Sequence, residues 1–172
     1  MGARDLPVWI KVWFFISSVI CSWDASFVLL RPHSMPPDGK YSQYFSPYAL
    51  YLGVDKKYGD LEDTFIIGQA WCNVAEVVMM LFVVLFGSSS RGKGWIFSLV
   101  VSTMTFWKTV VFLIQYTDIC NGAHQLNAVD FETALKLFYI PNGIWIVMSL
   151  LVMASTWSYL SGALSGVKSK NE

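Results

Sequence analysis

Apolar residues run in long stretches along this chain, where a soluble protein would intersperse them with polar ones. Four stretches stand out: Val8–Leu30, Thr64–Phe86, Trp95–Tyr116 and Phe138–Tyr159, of 23, 23, 22 and 22 residues. A helix needs roughly 20 mostly apolar residues to cross the hydrocarbon core of a bilayer, and each stretch meets that length. Together they take just over half of the 172 residues, more than a soluble core of this size can hide. The pattern predicts an all-α integral membrane protein, a four-transmembrane-helix bundle, with residues 1–172 forming a single membrane domain. Trp23 and Asp24 stand where a signal peptide would carry small cleavage-site residues, so the first stretch reads as an uncleaved span.

The connections differ in kind. Residues 31–63 form the longest, opened by Arg31-Pro32 and broken by Pro36-Pro37 and Pro47. Its aromatics Tyr41, Tyr44, Phe45, Tyr48 and Tyr51 recur at helical spacing. They fit either an interfacial segment lying over the bundle or an ordinary aromatic belt. Gly87 to Gly94 is a tight basic turn. Residues 117–137 form an acidic loop that enters the fourth helix early, with Asp130 as N-cap.

Composition narrows the classes further. Hydrophobic residues make up 55% of the chain and charged ones 14%, against about 25% charged in soluble domains. Twelve basic and twelve acidic residues cancel, leaving no electrostatic footprint for nucleic acid. Three cysteines are too few for a disulfide scaffold. His33 and His124 have no ligand partners at metal-binding spacing, and nothing calls for a cofactor. Gly162 and Gly166 have helix-dimer spacing but lie past the fourth span, which leaves a homodimer open.

An even number of spans puts both termini on one side, together with Arg91, Lys93, Lys168 and Lys170. The positive-inside rule places that side in the cytosol. The ending Lys168-Ser169-Lys170-Asn171-Glu172 looks like a di-lysine retrieval signal, a receptor-read address that implies the endoplasmic reticulum membrane.

Ionisable groups within a span cost at least ~2.5–3.5 kcal/mol each on insertion scales. Lys11 lies near an end and snorkels. Asp24, Glu76 and Lys108 need another explanation. With a rise of about 1.5 Å per residue, they lie ~9, ~18 and ~12 Å from the non-cytosolic face. Asn73, Asn142 and Trp145 come out at ~13, ~6 and ~10 Å. Gln69, Asn73 and Glu76 share one helical face, as do Thr105, Lys108 and Gln115, and Asn142, Trp145 and Ser149. Pro141 frees the carbonyl of Leu137 and opens the fourth helix near this layer.

Inward polar stripes at one depth predict a wet or ligand-filled cavity. Lys108 neutralising one acid, with amides gluing the helices, is the alternative. Two acids and one base nevertheless leave one carboxylic acid over. Asp24, Glu76 and Lys108 are thus the candidates for chemistry, and Gln69, Asn73, Asn142 and Trp145 for substrate contact. Lys108 fits a structural and a functional part equally well.

Three stretches carry a family resemblance: Ser22-Trp23-Asp24-Ala25-Ser26-Phe27; Leu99-Val100-Val101-Ser102 through Phe112-Leu113; and Phe138-Tyr139-Ile140-Pro141-Asn142-Gly143-Ile144-Trp145. From about Trp9 to Leu151 the chain resembles the emopamil-binding superfamily (the EXPERA domain), which includes sterol Δ8–Δ7 isomerases and the sigma-2 receptor. The resemblance implies a bundle whose cavity opens to the membrane and takes sterols or cationic amphiphilic amines. It implies that Asp24 stands for the first-helix acid, that Glu76 is the nearest second-helix acid, and that Asn142 and Trp145 match the isomerases' Asn-x-x-Trp. Family isomerases protonate a ring double bond and remove a neighbouring proton, with the carbocation held by carboxylates and an indole. This chain has Ile20 where the isomerases have a histidine, and Lys108 where they have an acid.

Two functions follow as expectations. The first is an isomerase-like enzyme shifting a double bond in a sterol or other terpenoid by acid–base chemistry. The second is a non-catalytic sterol-binding or lipid-trafficking protein of the sigma-2 type. Asn142 with Trp145 favours the first; Ile20 and Lys108 favour the second.

Overall fold

A computed structural model describes residues 5–88, 92–127 and 129–168. It is helical throughout, apart from turns and a single isolated bridge between Asp55 and Leu126. In chain order come the spanning-length α1 (Val8–Leu29), two short cap helices α2 (Tyr48–Leu52) and α3 (Lys56–Gly59), then the spanning-length α4 (Thr64–Phe86) and α5 (Lys93–Ile114). A four-residue turn α6 (Phe131–Ala134) passes through a π-helical turn, Leu135–Tyr139, into α7 (Ile140–Lys168). Helices α1, α4, α5 and the 131–165 rod are each long and apolar enough to cross a membrane.

Local chemistry explains most of the boundaries. Asp63 caps α4 by accepting from the Ile66 amide at 2.9 Å, satisfying one of the free donors at a helix start. Asp130 caps α6, accepting from the Thr133 amide at 2.9 Å, as its position before the apolar run predicts. The fourth rod then starts seven residues ahead of Phe138 and ends nine beyond Tyr159, with α7 alone spanning 29 residues. Apolarity dates only the middle of that rod, because its polar ends are helical too. At the turn between α4 and α5 the backbones nearly touch: a Cβ on Gly94 would lie 2.3 Å from the Gly87 carbonyl oxygen. Lys168 closes α7; Lys170 and Arg91 of the sequence-based topology argument lie outside the described residues.

Helix α1 packs along α4, α4 against α5, and α5 along α7. Helices α1 and α7 lack such backbone packing and meet through side chains, with the Trp13 and Trp145 rings 5.3 Å apart. Two apolar clusters fill the interior. One, around Phe27, Tyr48, Ile66, Phe112 and Phe138, lies at the end holding the 31–63 segment. The other, around Ile10, Phe14, Met80, Val101 and Val152, fills the opposite end. Large apolar side chains such as Trp71, Val78, Leu85 and Trp107 face outward and exposed, the surface a lipid environment requires.

Segment 31–63 is no single amphipathic helix. Of its five aromatics, Tyr41 precedes a 3₁₀ turn, Ser42–Phe45, that holds Tyr44 and Phe45, while Tyr48 and Tyr51 lie in α2, because Pro47 breaks any continuous helix between them. The segment caps the bundle instead. Tyr48 lies flat on Phe27, ring centroids 3.7 Å apart, and Arg31 holds the end of α3 by donating to the carbonyls of Tyr58 and Asp60, both at 2.8 Å.

Candidate functional site

A cavity of about 330 Å³ lies under this cap, between α1, α4, α5 and the start of α7, within the ~300–1,000 Å³ usual for small-molecule sites. Each of the four rods supplies part of its wall, and Tyr48, Tyr51 and Tyr58 form the roof. On α7 the opening has a local cause. The π turn at Leu135–Tyr139 widens the helix, Pro141 brings no amide hydrogen to the Leu137 carbonyl, and Leu137, Pro141, Asn142 and Trp145 all face the cavity. π turns recur at functional sites for this reason.

Asp24 on α1 is the acidic end of the wall. Its Oδ1 accepts from the Tyr48 hydroxyl at 2.6 Å and the Tyr58 hydroxyl at 3.1 Å. Its Oδ2 accepts from Asn73 Nδ2 at 2.8 Å. Burial, before the charge of Asp24, pushes the Tyr48 and Tyr58 hydroxyls far above their ordinary range, so both remain donors at any physiological pH. Among the described residues no cation forms an ion pair with Asp24.

The cation goes elsewhere. Lys108 Nζ donates to Glu76 Oε2 at 2.7 Å and to Asn73 Oδ1. Thr105 adds a second bond to Glu76 Oε2, at 3.0 Å. The Glu76 side chain is 1% exposed and that of Lys108 14%. Lys108 therefore faces the cavity and seals Glu76 behind it. Glu76 is not a wall residue. Asn73 stands between the two charges and touches both.

The remaining sequence candidates fall in different places. Gln69 lines the cavity and donates to the Lys108 carbonyl at 3.2 Å, tying α4 to α5. Asn142 lines it too, but its amide is occupied by the Phe138 carbonyl of its own helix at 2.8 Å. Gln115, on the same predicted face as Lys108, lies at the α5 terminus and accepts from Lys57 at 3.1 Å, outside the cavity wall. Ser149 is buried below it.

Sequence reasoning missed the roof. Tyr48 and Tyr58 are the principal donors to Asp24, and only the helical spacing of loop tyrosines hinted that Tyr48 belonged to an ordered element. It also missed Asp55, which is fully buried. Asp55 caps α3 through the Lys57 amide at 3.0 Å. It accepts from the Tyr116 hydroxyl at 2.8 Å and the Tyr51 hydroxyl at 3.1 Å, and so fastens the roof to α5. Asn127 reinforces this from the second loop, its amide donating to the Val54 carbonyl at 2.9 Å. Burial raises the Asp55 carboxyl above the usual carboxylate range, against the tyrosine hydrogen bonds that lower it.

No family model, curated protein or solved structure matches the chain.

Proposed function

We propose that the protein is a multi-pass membrane protein of the endoplasmic reticulum, with cytosolic termini, that holds a sterol or other terpenoid lipid in the cavity beneath its cap. The observation that carries this reading is the division of charge at the wall. Asp24 faces a largely apolar cavity and is hydrogen-bonded by neutral donors, while Lys108 on the same wall is committed to Glu76. Such a wall suits an amphiphile that brings a polar head to Asp24 and buries its body among Ile20, Phe112, Leu137 and Trp145. The seam between α1 and α7, which meet through side chains such as Trp13 and Trp145, is the lateral entrance this reading assigns.

Binding without turnover is the better supported of the two expected functions. A double-bond shift needs one group to deliver a proton and another to remove one, and Glu76 lies behind Lys108, out of reach of a cavity ligand. Asn142 and Trp145 standing on the same cavity as Asp24 keep the isomerase-type reading as the second. The resemblance to the emopamil-binding superfamily is compatible with both. Expression in a strain lacking its sterol isomerase separates them. The binding reading expects no rescue, together with lipid co-purifying with the protein; restored isomerisation, lost in Asp24→Asn, would establish the second.

A further inference from the structure

The polar groups on the cavity wall do not saturate one another. A lysine ammonium has three N–H donors and no acceptor. Lys108 spends two, on Asn73 Oδ1 and Glu76 Oε2, and it is itself a wall residue. One donor is unspent. A carboxylate offers about four acceptor positions. Asp24 Oδ1 is filled by Tyr48 and Tyr58, and Oδ2 takes Asn73 at 2.8 Å. The further approach of Tyr58 to Oδ2, at 3.4 Å, is the longer leg of the bond it already makes. One acceptor position is therefore open on Oδ2.

The open donor and the open acceptor flank Asn73. A single carboxamide already spans the gap between Lys108 and Asp24 from the α4 side, oxygen towards one and nitrogen towards the other. A head of one oxygen and one hydrogen matches the same gap from the cavity side. We propose that the site reads a hydroxyl: its O–H donates to Asp24 Oδ2 and its oxygen accepts from Lys108 Nζ. This rests on the lipid-binding reading above and narrows the ligand to a lipid alcohol. A ketone or an ether only accepts, so it satisfies Lys108 and leaves Asp24 unmet. An ammonium satisfies Asp24 but brings a second positive charge to Lys108, with no lone pair to offer it.

The test is a matched set of four polycyclic lipids, identical but for an alcohol, ketone, methyl ether or primary amine at one carbon. Each is titrated into the purified full chain in lipid nanodiscs and followed by tryptophan fluorescence. The alcohol is expected to bind tighter than ketone and ether by about tenfold or more, the usual worth of a hydrogen bond to a charged group. In the double variant Lys108→Met with Glu76→Gln, which removes the buried charge pair as a unit, alcohol and ketone should weaken while the amine strengthens. Equal binding of alcohol, ketone and ether to the wild type would overturn the hydroxyl assignment alone, as would an amine that binds tightest. Failure of all four to bind would overturn the cavity reading itself. The wild-type series decides the matter even if the double variant does not fold.

Discussion

Glu76 and Lys108 form a pair whose members live in different surroundings, one sealed and one facing the cavity. Breaking such a pair by removing one partner leaves an uncompensated buried charge and costs about 3–5 kcal/mol. Lys108→Met should therefore lower thermal stability in detergent by about that amount, and adding Glu76→Gln should restore most of it. A single variant as stable as the wild type would mean that Glu76 needs no counter-charge. Trp145 makes a different kind of contribution, an indole against Trp13 at the α1–α7 seam and on the cavity wall. If a hydrophobic amine is used as the probe, Trp145→Ala should weaken its binding by about 1–2 kcal/mol, the range of a partly desolvated cation–π contact. Unchanged affinity would reduce Trp145 to packing. The charges at this scale were legible from depth alone, because the rise of a helix is fixed. Which acid Lys108 chooses was not, since Asp24 and Glu76 differ by only two turns and the choice is made by Asn73 and Thr105 across the helix interface.

The cap is the element whose integrity decides whether a cavity exists. Asp55 gathers Tyr51, Tyr116 and the start of α3 on one buried carboxyl, and Arg31 clamps the end of α3, which carries Tyr58. Asp55→Ala leaves two tyrosine hydroxyls without their acceptor, at about 1.5–3 kcal/mol for each bond to a charged group. The 31–63 segment should then become the first site of limited proteolysis, while the long helices persist. The pH dependence has a definite sign. Because burial raises the folded-state pKa of Asp55 above the ordinary carboxylate value, the cap binds the proton more tightly than the unfolded segment does. Its contribution to cap stability is then complete on the acid side and declines as pH rises through the raised value. Asp55→Asn keeps an acceptor for Tyr116 and should flatten the pH profile of cap proteolysis; a profile unchanged by the substitution would assign it to another group. The part played by Asp55 was not legible in the sequence, since it lies in a proline-broken loop past the last of the helically spaced aromatics, and its partner Tyr116 arrives from 61 residues away. By contrast, the Asp130 cap and the helix cores follow from rules that act within four residues.

At the scale of the whole molecule the architecture is two apolar clusters with a largely apolar cavity, carrying a few polar wall residues, beside the one under the cap, inside four spanning-length helices. The exposed Cys120 lies in the loop following α5, at the cap end, whereas Cys21 is buried. In sealed microsomes a membrane-impermeant thiol reagent should reach Cys120 only after the vesicles are opened, if the termini are cytosolic. Labelling in intact vesicles would invert the topology. Lys168→Ser with Lys170→Ser should release the protein to later compartments, and unchanged localisation would remove the di-lysine ending from the case. The most direct test of the central claim is where a bound lipid lies. A photoactivatable polycyclic lipid alcohol should crosslink to peptides around Ile20–Asp24 and Leu137–Trp145, with unlabelled lipid suppressing the signal and Asp24→Asn reducing it. Labelling spread over outward residues such as Trp71, Val78 and Trp107, indifferent to competitor and to Asp24, would contradict the existence of a lipid site within the bundle.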